Sequence, residues 1–160
     1  DPQLAAACEA ALKVGVHWDT QAKPPHTHNV CQVYASAVPV AYSSASAADW
    51  ETFARLVLRS AYEATLAVGA IKATPDKRVS VYLTFLGGGA FGNRKEWIND
   101  AIRDAMKKFA KSPIDVKLLH YGNMVSDEWM KLEHNLQRDP NHLQREKLVL
   151  TPSGELIKKG

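Results

Sequence analysis

Val79-Ser80-Val81-Tyr82-Leu83-Thr84-Phe85-Leu86-Gly87-Gly88-Gly89-Ala90-Phe91-Gly92-Asn93 is the stretch on which the fold turns. Up to Phe85 it is rich in β-branched and aromatic residues, which predicts a buried strand. Gly87, Gly88, Gly89 and Gly92 then break the pattern. From Arg94 to Lys111 the apolar residues Trp97, Ile98, Ala101, Ile102, Ala105, Met106 and Phe109 fall on one helical stripe. A strand, a glycine loop and a helix in that order leave backbone N–H groups free at a positive helix end, a cradle for phosphate. The plainer reading is that the glycines only permit a sharp turn and close packing. No Gly-Lys-Ser/Thr follows, so this is not a Walker A loop. Gly87, Gly89 and Gly92 have the spacing of the dinucleotide fingerprint, but only Asp115 stands near the place where its acidic partner belongs.

Working outward, residues 1–13 read as the end of a helix, Val14 to Trp18 as a short strand and Gln21 to Asn29, with Pro24-Pro25, as a loop. A strand from Val30 to Tyr42 should end near Pro39, which cannot donate to a ladder. Ser46-Ala47-Ala48-Asp49 has the form of a capping box opening a long helix to about Ala73. Its core stripe is Trp50, Phe53, Ala54, Val57, Leu58, Ala61, Thr65 and Val68. Thr74-Pro75-Asp76-Lys77 is a stop and turn. After the glycine loop and its helix come a strand from Asp115 to Tyr121, a helix from Ser126 to Gln137, and a tail with a possible hairpin around Pro152-Ser153-Gly154. Alternating strands and helices imply a parallel sheet with covering helices.

The segment Leu83 to Asn93, the amphipathic helix behind it and the strand Asp115 to Tyr121 resemble the second phosphate-binding loop of macrodomains. The nearest flavour is the branch similar to poly(ADP-ribose) glycohydrolase, in which a Gly-Ala-Phe-Gly turn grips the diphosphate of ADP-ribose. Val30-Cys31-Gln32-Val33-Tyr34-Ala35-Ser36-Ala37-Val38-Pro39-Val40-Ala41-Tyr42 resembles the preceding core strand of that branch. The likeness spans roughly residues 14 to 122. It implies a three-layer α/β sheet, mixed but mainly parallel at its centre, with helices on both faces. Two family features are missing: the three-glycine loop followed by Gln-Glu-Glu that carries the catalytic acid, and the Asn-Ala-Ala-Asn strand. The chain therefore looks like the C-terminal half of such a domain over 1–125, with a helical and irregular extension over 126–160. The fold is expected to be completed by an N-terminal portion of the same protein or by another chain.

The resemblance implies binding of ADP-ribose or ADP-ribosylated protein and hydrolysis of an ADP-ribosyl glycosidic bond. The alternative is a non-catalytic ADP-ribose reader, or a structural module with a degenerate site. Gly87, Gly88, Gly89, Ala90, Phe91, Gly92 and Asn93 would hold the ligand. Phe91 would be a plug under the glycines or a wall against a sugar or base. Asn93 reads first as the cap of the following helix. Tyr121 ends a strand on the same sheet edge, where an aromatic could stack on adenine; Tyr42 and Ser43 end the neighbouring strand. Asp19 follows Val14-Gly15-Val16-His17-Trp18 at the carboxyl end of what reads as a parallel strand, the end that faces the ligand crevice, and is the best candidate for a catalytic carboxylate. Its plainer role is to cap a turn.

Composition sets the remaining bounds. The 160 residues, 46% hydrophobic and 23% charged, fit one folded domain, and no apolar run approaches the roughly 20 residues of a membrane span. A net charge of +3 suits an anionic ligand, but the basic residues are spread over helix faces and the tail, so no nucleic-acid partner is expected. Cys8 and Cys31 read as buried thiols of a reducing, cytoplasmic compartment. His17, Asp19, His26, His28 and Cys31 match no strong zinc spacing. No metal or cofactor is called for.

Overall fold

The computed structural model describes residues 1–121, the helical positions Asp127, Met130, Lys131 and His134, and the backbone of two short strands in the tail. Helix α1 (Pro2–Ala11) is capped by Asp1, whose carboxylate accepts from the amides of Gln3 and Leu4. Strands β1 (Gly15–Gln21) and β2 (Asn29–Tyr34) follow, and then a short 3-10 turn (Val40–Tyr42). The long helix α2 (Ala47–Lys72) leads into β3 (Val79–Leu83), the glycine loop, α3 (Lys95–Lys108) and β4 (Ile114–Leu118). β5 (His120–Tyr121), β6 (Leu148–Leu150) and β7 (Leu156–Lys158) complete the order. β6 and β7 pair antiparallel, as the expected tail hairpin requires. Most of the helix expected over 126–137 lies outside the described residues. No helix among the described residues is long and apolar enough to cross a membrane.

α2 starts where its sequence says it should. The Ser46 hydroxyl accepts from the Asp49 amide, and the Asp49 carboxylate accepts in return from the Ser46 amide. Its buried face is Ala54, Leu58, Ala61, Tyr62, Leu66, Val68 and Gly69. Phe53, expected in that stripe, is 53% exposed. It lies beside Trp50, one position off the line that meets the sheet.

β3 and β4 run parallel, with Val79 opposite Ile114 and Leu83 opposite Leu118. Alternation along the strands sends Val81, Leu83, Ile114 and Val116 into the core and leaves Ser80 and Tyr82 exposed. The core side is covered by α2 and by α3, whose Trp97, Ile98, Ala101, Ile102, Ala105 and Met106 are all buried in the same cluster. Among the described residues the helices therefore cover one face of the sheet. On the other face the Lys117 ammonium lies over the Tyr82 ring and Arg78 pairs with Asp115.

Two expectations are corrected at the N-terminal end. The strand expected over 30–42 stops at Tyr34, and Ala37, Val38 and Val40 enter the core without ladder partners. β1 is not parallel: it forms an antiparallel pair with β2, Gly15 opposite Tyr34 and Gln21 opposite Asn29. The register slips between His17 and Thr20, a bulge that puts Asp19 at φ +52°.

α2 and the sheet meet at Gly69. A Cβ there would lie 2.3 Å from Val81 Cγ2. Alanine raises helix propensity by about 1 kcal/mol over glycine, but overpacking of a filled core costs about 1–3 kcal/mol, and the clash should win. Gly69→Ala is expected to lower the urea midpoint, by about 1 kcal/mol in stability; a gain would show that helix and strand are not in contact here.

Candidate functional site

The glycine loop leaves the carboxyl end of β3 and is fixed from three sides. From α2, the Tyr62 hydroxyl donates to the Thr84 carbonyl (2.8 Å) and accepts from the Leu86 amide (2.9 Å). From within the loop, Gly88 donates to the Phe85 carbonyl, Gly92 to Gly89, and Asn93 to Gly87. From behind, Ala41 donates to the Phe91 carbonyl, so the 3-10 turn backs the loop. Tyr42, on that turn, meets the Phe91 ring edge-on at 5.7 Å and is itself 69% exposed.

Asn93 does not cap α3. Arg94 is the residue at the N-cap, and its side chain makes no capping bond. The Asn93 carboxamide turns inward instead, donating from Nδ2 to the Val38 carbonyl (2.8 Å) and to that of Gly87 (3.3 Å). Asn93 is 4% exposed. An amide with two donors can serve two inward-facing carbonyls at once, and the Gly87 carbonyl accepts from the Asn93 backbone amide as well.

The glycines are not equivalent. Gly87 sits at φ +74°, where a Cβ would lie 2.4 Å from the Ala37 Cβ and 2.7 Å from Asn93 Nδ2. Gly92 sits at φ +69°, 2.8 Å from the Ala41 Cβ by the same measure. On Gly88 a Cβ would strike the Phe85 ring at 2.2 Å. These positions serve the turn and its packing. Around Gly89 nothing lies within 4 Å of where a Cβ would stand, and Gly89 and Ala90 are exposed. Among the described residues the N–H groups of Gly89, Ala90 and Phe91 donate to no acceptor. Consecutive unpaired amides on an open loop, close before a helix N-terminus, can receive an anion.

Asp19 is not brought to this loop. Its carboxylate is held by the Lys72 ammonium at 2.9 and 3.0 Å, in the last turn of α2. That contact holds the Lys72 pKa above its ordinary value, chiefly through the Asp19 hydrogen bond. Lys72 lies roughly 15 Å along the helix axis from Tyr62, which touches the loop, given a rise of about 1.5 Å per residue. Of Tyr121 the backbone alone is described, pairing with Leu150, so its expected contact with a base lies outside the described residues. His26 and His28 are exposed and meet edge to face. No group of His, Cys, Asp and Glu among the described residues converges on a metal position.

No family model matches the chain, and no similar protein was found among curated proteins or solved structures.

Tyr62 and Arg94 were both passed over in reading the sequence. Tyr62 carried a signal: it lies four residues from Leu58 and four from Leu66, on the buried stripe, so its hydroxyl needed a partner in the core. Burial pushes the Tyr62 phenol well above its usual range, and donation from the Leu86 amide pulls it back only in part. The sign for stability follows. A native pKa above the unfolded value, near 10, stabilises in full below about pH 10, and the contribution declines as pH rises from there toward the native value. The stability of the wild type should therefore fall above about pH 10 more steeply than that of Tyr62→Phe. At pH 7 the variant should lose about 1 kcal/mol. Parallel alkaline limbs in chemical denaturation would show that the hydroxyl is not buried in this bridge.

Proposed function

We propose that the loop from Gly87 to Asn93 binds the diphosphate of ADP-ribose, in a macrodomain-like protein that hydrolyses ADP-ribosyl glycosidic linkages on modified proteins. The observation that carries the proposal is the run Gly89-Ala90-Phe91, three consecutive N–H groups without acceptors among the described residues, on a loop fixed by Tyr62, Asn93 and the 3-10 turn. Backbone amides at a helix N-terminus stabilise an anion, and the dipole adds at most about 2 kcal/mol. The exposed Tyr42, braced on Phe91, offers a ring face beside the loop for a sugar or base.

On this reading the sheet is the C-terminal part of a three-layer domain. The side of β3 that pairs with no strand among the described residues, and the exposed Ser80 and Tyr82, are where further strands and helices would add, from an N-terminal portion of the same protein or from another chain. The chain supplies the diphosphate grip. The catalytic carboxyl then comes from the completing portion, because Asp19 is paired with Lys72 away from the loop. That same placement favours the alternative, an ADP-ribose reader without turnover.

Gly89 separates folding from binding, since a side chain there meets open space. Gly89→Asp should change stability by no more than about 0.5 kcal/mol, yet set a carboxylate against the diphosphate and weaken ADP-ribose at least about tenfold in calorimetry. Asp19→Ala should leave that affinity unchanged. Equal binding by Gly89→Asp, or none by the wild type at millimolar ADP-ribose, would overturn the proposal.

A further inference from the structure

Arg94 is a cation where the fold alone would place the opposite charge. A helix N-terminus favours carboxylates and disfavours cations, and its N-cap is best filled by Ser, Thr, Asp or Asn. Arg94 occupies that position in α3 without making a capping bond. Arg55, Arg59, Arg78 and Arg103 each hold a carboxylate at 2.7 or 2.8 Å. Arg94 has no such partner among the described residues and is exposed.

It is nonetheless braced. The Arg94 guanidinium lies 5.5 Å from the centroid of the Trp97 ring. Trp97 is 1% exposed and so cannot turn away, and Arg55, tied to Glu51 and Asp100, flanks the same ring at 5.9 Å. A guanidinium stacked on a fixed indole loses little further freedom when it binds. It stands one residue beyond Asn93, whose amide closes on the Gly87 carbonyl, and so at the rim of the loop.

We propose, on the footing that the loop binds a diphosphate, that Arg94 is the charged arm of that site and makes it selective for a diphosphate over an uncharged nucleoside. Its planar fork would take two phosphate oxygens while the amides of Gly89, Ala90 and Phe91 take others. The cost of a cation at the helix end is then the price of function, and stability and binding should respond to its removal with opposite signs.

Calorimetry with inorganic pyrophosphate, ADP-ribose and adenosine, together with thermal melts, on wild type, Arg94→Asp, Arg94→Ala and Arg94→Lys tests this. Arg94→Asp should leave the thermal midpoint unchanged or raise it by about 2–4 °C, and should weaken pyrophosphate and ADP-ribose at least about tenfold. Arg94→Ala should weaken both, Arg94→Lys should recover part of the loss, and adenosine should be insensitive throughout. Wild-type affinity for both anions in Arg94→Ala would overturn the role of Arg94 while leaving the loop as a diphosphate site. A midpoint lowered in Asp and Ala variants alike, with affinity intact, would make Arg94 a packing brace for Trp97 and overturn it equally. Failure of the wild type to bind either anion would overturn the loop's role first, and that of Arg94 with it.

Discussion

The buried carboxamide of Asn93 ties the start of α3 to the first glycine of its own loop, six positions back, and to Val38, 55 positions away. Its Nδ2 bonds to Val38 and Gly87 tie the segment behind the loop to the loop's first left-handed turn, directly before α3 begins. Two consequences follow. The Gly87 carbonyl is drawn inward, receiving the Asn93 amide as well as its side chain, so the loop closes into a ring of fixed size. Among the described residues the amides of Gly89, Ala90 and Phe91 take no part in closing that ring. Asn93 Oδ1 has no partner among the described residues. An unsatisfied buried acceptor costs about 1–3 kcal/mol, so the geometry is kept at some expense to stability.

The sheet and helices serve this corner. α2 and α3 pack on each other and on the inward residues of β3 and β4, around Leu58, Leu66, Ile98, Ile102, Ile114 and Val116. Because all of these are essentially inaccessible to water, the end of β3 and the start of α3 cannot drift apart, and Tyr62 sets the height of the loop above the sheet. The ion pairs around the rim, such as Arg59 with Glu9, are partly exposed and contribute about 1 kcal/mol or less each. They align the outer helices without fixing the site.

Much of this was legible in the residues. The α3 stripe, the Ser46–Asp49 box and the stop at Thr74 to Lys77 are local signals, and each has one structural solution. The glycine loop was legible as a loop, but not which glycine does what. That depends on Ala37, Ala41 and Phe85, neighbours brought in by the tertiary fold. Asn93 misled because an asparagine before a helix satisfies the capping pattern as well as the inward one; the choice was made by the Val38 carbonyl, 55 positions away. For Asp19 it was the direction of its strand that could not be read. Hydrophobic alternation is the same in parallel and antiparallel strands, so nothing in residues 14–18 foretold the hairpin with β2. Nothing local separates Arg94 from the other surface cations; what sets it apart is that it holds no carboxylate among the described residues.

The central claim, that the loop amides are an anion site, is most directly tested by following backbone amide resonances during titration with ADP-ribose. Saturable shifts that are largest at Gly89, Ala90 and Phe91, with small changes along α2 near Lys72 and on the β1–β2 hairpin, are predicted. Shifts centred on the hairpin, or a titration that leaves those loop amides unmoved, would contradict it.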